Sequence, residues 1–387
     1  MPFSNDDWKK YQQIVAARVQ SLQSTLIAKQ TEELAKGLTL SKREWTLQRL
    51  ARTAFVQKMF ENEIKAATKD IIKTAKEGIA ETIRVSSKEI VKAVGADAPE
   101  QIKRVKGVSL AIGSTKIQMH VQSAMQSLFQ TAVQDYRATI NRVNVDSRGL
   151  FQALQSAVET KSDNGFITYA DGRNVSFKAY MEMSIRTDLQ QNALYNLEES
   201  AKAVGLEAYV ASSHSDSADD HEEFQGFYYL ADGTEWKDEY QRYGFHPKYH
   251  YLSEVKALGF LTRPNCRHYV QPVSLDDILA GKDMHKQLRV LNEKAKPGAY
   301  DDLKEQRYNE RQIRKYKDRV NNDELLLAKA PPEERAKAME SLKANKVKVR
   351  EWQAQMRELE KTSDIRRQYN REKPGVVIYG AKVVPKP

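Results

Sequence analysis

Ser212-Ser-His-Ser-Asp-Ser-Ala-Asp-Asp-His221 and Pro264-Asn-Cys-Arg-His268 are the two segments around which the rest of this chain is organised. They open and close a block, Ser212–Val270, that contains five of the seven histidines and the only cysteine. The sequence on either side has helical periodicity and few residues capable of chemistry. We therefore expect long helices arranged around one small folded unit that contains this block.

The sequence leading into the block predicts a small α+β domain over residues 161–275. Asp171-Gly172 supplies the positive φ angles of a tight turn, so the residues around it are predicted to form a hairpin. Ser176 is placed to cap the helix that follows, and Gly205 is placed to end it. A helix therefore connects the hairpin to the first segment of the block.

Strands are predicted on both sides of the block. Leu206–Ser213 alternates apolar and polar residues, which places His214 at the end of a strand. Tyr269–Val273 resembles a closing strand. The stretch Phe227–Tyr251 is rich in tyrosine, glycine and proline, and it is predicted to be compact and irregular rather than helical.

The two flanks complete an α+β architecture in three parts. Residues 1–160 are predicted to be a long helical scaffold, and residues 276–387 a charged, basic helical extension and tail. Ser41 and Glu44 have the spacing of a capping box, which predicts a helix start. Apolar residues at spacings of three and four predict helices over about residues 6–36, 41–94, 114–141, 303–320 and 332–369.

The composition excludes several classes of protein. The chain is 40 % hydrophobic and 29 % charged, and no apolar run approaches the roughly 18 residues that a membrane span needs. The first ten residues include Asp6 and Asp7, which a secretory signal would not have. A single cysteine excludes an intramolecular disulfide framework and indicates synthesis in a reducing cytoplasm.

Positive charge is concentrated in the C-terminal third. The formal net charge is +10, and residues 281–373 hold 25 Lys/Arg against 17 Asp/Glu. A basic surface can bind nucleic acid by neutralising phosphates and releasing their counterions. The alternating signs also fit helices whose charged faces are simply solvated, and both interpretations stay open on the sequence.

Four residues of the block could hold a zinc ion. A structural zinc site needs four nitrogen or sulfur ligands in a tetrahedron. His214 and His221 would form one pair, and Cys266 and His268 the other, because Pro264-Asn265 favours a turn just before the second pair. The alternative is that the histidines are hydrogen-bonded loop residues and that Cys266 is a small buried apolar group.

Catalysis is the competing hypothesis for the same residues. His214 and His221, with the acids at Asp216, Asp219 and Asp220, could form a general base and metal site for phosphodiester hydrolysis. Nothing in the sequence places a nucleophile, a phosphate loop or a second carboxylate cluster at a diagnostic spacing. A nucleophile pair of Cys266 and His268 is disfavoured because the two residues are only two positions apart. We therefore expect no catalytic residues.

A series of short motifs runs from residue 165 to 275: Tyr180, Met183, Arg186-Thr187, Ser212-Ser213-His214, Asp220-His221, Gln225-Gly226, Gly259-Phe260 and Pro264-Asn265-Cys266-Arg267-His268. Their order resembles the minor capsid protein 2 family of tailed phages, which is similar in turn to the Mu F-like head morphogenesis proteins. The central part of those relatives has paired cysteines and a closing His-Pro-x-Cys-Arg-Cys. Here histidines stand in place of the first cysteine pair, and His268 stands in place of the last cysteine.

This resemblance implies a structural, non-enzymatic protein of the virion. Such a protein would be made in the host cytoplasm and would lie inside the head or at the portal vertex. Its partners would be the portal protein, other capsid proteins and packaged DNA, the last through the basic C-terminal third. Its role would be in head assembly, DNA packaging or DNA ejection. The alternative function is a metal-dependent nuclease or toxin-like effector that is delivered with the genome.

Overall fold

The structure of the protein, a computed structural model, describes residues 6–94, 100–159, 166–168, 172, 174–264, 266–287, 293–294 and 296–374. Helices dominate these residues and small antiparallel sheets lie in the central part, which confirms the predicted α+β class. The elements are α1 (Asp6–Leu34), α2 (Lys42–Ala51), α3 (Thr53–Val94), α4 (Glu100–Val145), α5 (Leu150–Glu159), β1 (Phe166–Thr168), β2 (Asn174–Ser176), α6 (Phe177–Ala203), β3 (Ala208–Ala211), α7 (Asp219–Glu222), β4 (Tyr228–Leu230), α8 (Leu252–Ala257), β5 (Val270–Val273), α9 (Leu275–Leu279), α10 (Met284–Gln287), α11 (Ala299–Leu327) and α12 (Arg335–Thr362).

The helix starts follow the capping residues in the sequence. The Ser41 hydroxyl accepts a hydrogen bond from the Glu44 backbone N–H at 3.3 Å, and the Glu44 carboxylate accepts one from the Ser41 N–H at 3.1 Å. The helix predicted over 41–94 is broken at Arg52, whose φ of −88° and ψ of 1° lie outside the α-helical region. The Ala179 N–H donates to the Ser176 hydroxyl at 3.2 Å at the start of α6, as predicted.

The residues form two compact units, each assembled from three separate segments of the chain. The first comprises Met1–Val15, Ile72–His120 and Glu182–Tyr300, and the second comprises Ala16–Ile71, Val121–Met181 and Asp301–Pro387. The division of the sequence into residues 1–160, 161–275 and 276–387 stays a prediction. No helix among the described residues is long and apolar enough to cross a membrane.

The first unit contains a three-stranded antiparallel sheet in the order β4-β3-β5. β3 and β5 confirm the two predicted strands, and β4 lies in the stretch that was predicted to be irregular. Tyr209 at the centre of β3 pairs with Tyr229 on one side and with Pro272 on the other. Pro272 lacks a backbone N–H, and it is tolerated because β5 is an edge strand.

Both faces of this sheet are buried, because side chains alternate between the faces along β3. Tyr209 and Ala211 belong to one hydrophobic cluster, together with apolar residues of α3, α4, α6 and α8. Ala208 and Val210 belong to a second cluster on the opposite face, built mainly from Phe245 and short segments after β5. The sheet is therefore a rigid centre with helices on both sides.

The second unit contains the hairpin of β1 and β2 and two helical regions. The first region includes most of α1 and all of α2, and the second is the pair of α11 and α12. The hairpin is present as predicted, and it pairs Phe166 with Ser176 and Thr168 with Asn174. This register is shifted by one residue from the one that a two-residue Asp171-Gly172 turn would give, and Asp171 lies outside the described residues.

In the first helical region the buried carboxylate of Glu33 receives the Arg49 guanidinium at 3.2 Å, and only 3 % and 4 % of the two side chains are exposed. Burial would raise the pKa of Glu33, but hydrogen bonds from Lys36 and Arg52 outweigh burial and lower that pKa.

The second helical region is the pair of α11 and α12. The thin apolar stripe of α12 packs against α11 in one small cluster of Ile313, Met356 and Leu359, with Trp352 at its edge. α12 buries few apolar side chains, and α11 of the same chain packs against two of them, Met356 and Leu359.

Candidate functional site

The antiparallel pairing of β3 with β5 brings the two segments of the histidine block together. Ala211, the last residue of β3, pairs with Val270, the first residue of β5. The chain leaving β3 therefore runs beside the chain entering β5. The Ser212 N–H donates to the Tyr269 carbonyl at 2.9 Å, and the Tyr269 N–H donates to the Ser212 hydroxyl at 3.0 Å. Residues more than 50 positions apart in sequence become neighbours in this way.

Three of the four predicted zinc ligands meet next to this junction. The ligand atoms of His221, Cys266 and His268 all lie within 4.8 Å of one another, and all three residues are buried. The short helix α7 contributes His221, and the turn before β5 contributes the other two. Phe260 lies beneath the cluster, with its ring centroid 4.8 Å from that of His268 and 5.8 Å from that of His221.

His214, the fourth predicted ligand, lies beside the cluster rather than within the group of close ligand atoms. Its ring packs edge-on against His268 with centroids 4.9 Å apart. Its Nε2 lies 3.0 Å from the Ser212 hydroxyl, which gives this nitrogen a hydrogen-bond partner. Burial, and secondarily the positive charge of Arg267, lower the pKa of His214.

Gln225 connects the two segments of the block. Its Oε1 accepts a hydrogen bond from the His214 backbone N–H at 2.8 Å and contacts His268 Nε2 at 2.9 Å. Because the backbone N–H can only donate, the atom it contacts must be the amide oxygen, and His268 must then carry its proton on Nε2. Gly226 follows with a φ of +78°, a conformation that favours glycine, and turns the chain towards β4.

Burial keeps the histidines of the cluster neutral. The pKa of His268 is lowered to about 2 by burial, and the charged forms of His214 and His221 would lower it further. Burial also lowers the pKa of His221 and raises the pKa of the Cys266 thiol. Each imidazole is therefore neutral at neutral pH, with one nitrogen free of a proton and able to act as a ligand.

The remaining motif residues lie around the cluster. The Arg267 guanidinium pairs with the Asp216 carboxylate and reaches the Asp216 carbonyl at 3.3 Å, which ties the turn before β5 to the loop after β3. In α6, Arg186 lies 3.5 Å from the Glu182 carboxylate. Thr187 has a buried hydroxyl that makes no hydrogen bond to any described residue. Asn265 lies outside the described residues.

One residue that contacts the cluster was missed by the sequence analysis. Gln190 Nε2 donates to the His268 carbonyl at 2.9 Å, and the same side chain hydrogen-bonds the Cys266 sulfur. Gln190 lies one turn after Arg186 on α6, so it shares a face with that residue. Its position four residues after Arg186 was the feature of the sequence that could have identified it.

A comparison with known protein families gives one finding. The sequence model described as phage minor capsid protein 2 matches residues 9–360, which is nearly the whole chain. The resemblance drawn from the central motifs is confirmed, and it extends to the helical flanks, where the motifs alone were weak. No curated protein and no solved structure matches the chain.

Proposed function

The chain belongs to the phage minor capsid protein 2 family, and from that premise we propose that this structural protein of the bacteriophage virion lies at the portal vertex and contacts packaged DNA. The match over residues 9–360 is the observation that carries the proposal, because it covers the histidine block and most of the basic C-terminal helices. Membership makes the protein a component of the virion that assembles with other capsid components. The portal and DNA contacts are the proposed steps.

An exposed apolar stripe on α4 supports docking to another capsid component. Val108, Ile112 and Met119 are 51 %, 48 % and 63 % exposed. Residues four and eleven positions apart lie on one helix face, so the three side chains form one stripe. Grouped exposed apolar residues of this kind mark interaction surfaces more often than scattered ones do. We assign this stripe to the portal protein.

A basic stripe on α12 supports contact with DNA. Lys343, Arg350 and Arg357 are exposed, and they follow one another at intervals of seven residues. Seven residues are close to two helical turns, so the three cations lie on one face along roughly 21 Å of helix. None of them has an ion-pair partner within the part of the chain that the structure describes. Unpaired cations on one straight face can each neutralise a phosphate.

The arrangement of the histidine block supports a non-enzymatic role. His221, Cys266 and His268 are 6 %, 4 % and 3 % exposed, so their reactive atoms are inaccessible to a macromolecular substrate. Two of the acids that would assist hydrolysis are already in ion pairs, Asp216 with Arg267 and Asp220 with Arg263. No observation among the described residues favours the nuclease alternative.

The DNA contact can be tested with the full chain and duplex DNA at several salt concentrations. The logarithm of the binding constant is expected to fall with the logarithm of salt, with a slope of about −3 for three phosphate contacts. Replacing Lys343, Arg350 and Arg357 with Gln is expected to weaken binding roughly tenfold or more and to flatten this slope.

A matched control separates the effect of the basic stripe on DNA binding from the effect of net charge. Lys58, Lys103 and Lys361 are exposed and already pair with a carboxylate three positions away on their own helix. Their triple replacement with Gln lowers the formal net charge from +10 to +7, as the first triple does. The control is expected to bind DNA almost as the natural chain does. Equal losses in both variants, or binding that is indifferent to salt, would refute the assignment of the stripe.

A further inference from the structure

The buried trio of His221, Cys266 and His268 has the chemistry and spacing of a metal site. We propose that these three side chains bind one zinc ion, which fastens the loop after β3 to the turn before β5. The set is narrower than the four ligands that the sequence predicts, because His214 lies outside the group of close ligand atoms. The inference is independent of the portal and DNA contacts.

The distance between Cys266 and His268 suits a shared tetrahedral ion. Cys266 Sγ lies 3.5 Å from His268 Nδ1. With zinc–sulfur and zinc–nitrogen bonds of about 2.3 and 2.0 Å, two ligand atoms of a tetrahedral ion are roughly 3.5 Å apart. All three ligand atoms lie within 4.8 Å of one another, so small side-chain rotations bring His221 into the same coordination sphere.

The proton on His268 is held on the nitrogen that faces away from Cys266. Nε2 donates to Gln225 Oε1 at 2.9 Å, and the same oxygen accepts the His214 backbone N–H. The lone pair of His268 Nδ1 is therefore directed towards the sulfur. Metal-binding histidines typically donate their second nitrogen to such an outer partner, which sets the tautomer and the ring orientation.

His221 supplies an independent observation. Its Nε2 is buried and has no hydrogen-bond partner among the described residues, although only 6 % of the residue is exposed. Buried polar atoms are nearly always paired, so an unpaired one in this place requires an explanation. A metal ion shared with Cys266 and His268 gives this nitrogen a partner.

Hydrogen-bond donors converge on the Cys266 sulfur. The backbone N–H groups of His268 and Leu261 and the side chain of Gln190 all bond to it. Leu261 adopts a φ of +66°, which is uncommon for a residue other than glycine. A neutral thiol is a weak acceptor, whereas a metal-bound thiolate benefits from such donors. One thiolate and two imidazoles select zinc over magnesium or calcium, which prefer oxygen ligands.

The first test is the metal content of the full chain, produced without a histidine tag and dialysed after exposure to zinc. About one equivalent of zinc is expected by elemental analysis. His221→Ala, His268→Ala and Cys266→Ser are each expected to lose most of it, and His214→Ala is expected to retain it. His246→Ala is the matched control, because His246 is also buried but bonds to the Glu223 carbonyl at 3.0 Å and to two backbone N–H groups instead.

A second test needs no variant, so it is decisive even if the substitutions prevent folding. Cys266 is the only cysteine, so the rate of its reaction with a thiol reagent reports on this site alone. The zinc-loaded protein is expected to react slowly, and removing the metal with a chelator is expected to speed the reaction at least about tenfold. Zinc below roughly a tenth of an equivalent, together with thiol reactivity that ignores the chelator, would overturn the proposal.

Discussion

In the histidine block, side chains from distant parts of the sequence converge on one buried point, whereas most side chains of α12 are exposed to solvent. Every residue of β3, β4 and β5 is buried, and one sheet positions His221, Cys266 and His268. One small apolar cluster around Met356 joins α12 to α11. We infer that the side chains of the block can pack in only one way. The pair of α11 and α12 is instead a scaffold that exposes charged side chains.

The largest effect of a single substitution is expected from removing the aromatic ring beneath the block. Phe260 is fully buried against His221 and His268. Phe260→Ala leaves a cavity and is expected to lower the free energy of unfolding by about 3–5 kcal/mol. Phe55→Ala is the control, because Phe55 is 53 % exposed, and its expected cost is below about 1 kcal/mol.

Hydrogen exchange of the β3 amides measures the first effect, and exchange of the amides around Phe55 in the first turns of α3 measures the second. If both variants lowered the free energy of unfolding by similar amounts, the buried block would be no more sensitive to substitution than an exposed helical surface.

A smaller effect, dependent on pH, is expected in the helix pair. Asp323 of α11 is 2 % exposed, and burial raises its pKa to about 6. The hydrogen bond that Asn345 donates to its carboxylate at 2.8 Å lowers the pKa and only partly offsets burial. The folded state then holds a proton that the unfolded chain releases near pH 4, so stability falls as the pH rises from about 4 to 6. The loss is on the order of 2–3 kcal/mol.

Asp323→Asn tests this pH dependence, because asparagine keeps an acceptor for Asn345 and Ser341 but does not titrate. Thermal melts between pH 4 and 7 are expected to show a smaller loss of stability in the variant than in the natural chain. An unchanged pH profile would show that Asp323 is ionised in the folded protein throughout this range.

The smallest effect is expected at the exposed ion pairs of α12. Lys348 lies 2.8 Å from the Glu351 carboxylate, with about half of each side chain exposed. Solvent and salt screen such a pair, so Lys348→Gln is expected to leave the melting temperature unchanged within error. A clear destabilisation would mean that the helix pair depends on its surface charges more than its exposure indicates.

The sequence predicts local structure well where the signal lies within a few residues. The capping box of Ser41 and Glu44, the helix start at Ser176 and the strands β3 and β5 were all predicted from short patterns. The break at Arg52 was not, because helical periodicity continues across it. In the structure the Arg52 guanidinium binds Glu33, a contact with another helix that no local pattern reveals.

The site was predicted in part for the same reason. The spacing of Cys266 and His268 indicated that they would be close, and His221 joins them in the structure. Whether the neighbouring His214 would lie within reach depends on the Ser212 hydroxyl and on Gln225, which bind its ring and its backbone. The role of Gln190 depends on where α6 lies against the turn before β5, and sequence spacing does not encode that placement.

We propose that this protein is fixed at the portal vertex of the virion, and chemical cross-linking of intact phage particles tests that position. Lys103 and Lys116 are exposed, and Lys103 precedes the apolar stripe of α4 whereas Lys116 lies between Ile112 and Met119. A lysine-reactive reagent would therefore capture a protein bound to the stripe. Cross-links from these two lysines to the portal protein are expected. Efficient cross-links between other capsid proteins, with none from Lys103 or Lys116 to the portal protein, would refute the portal position.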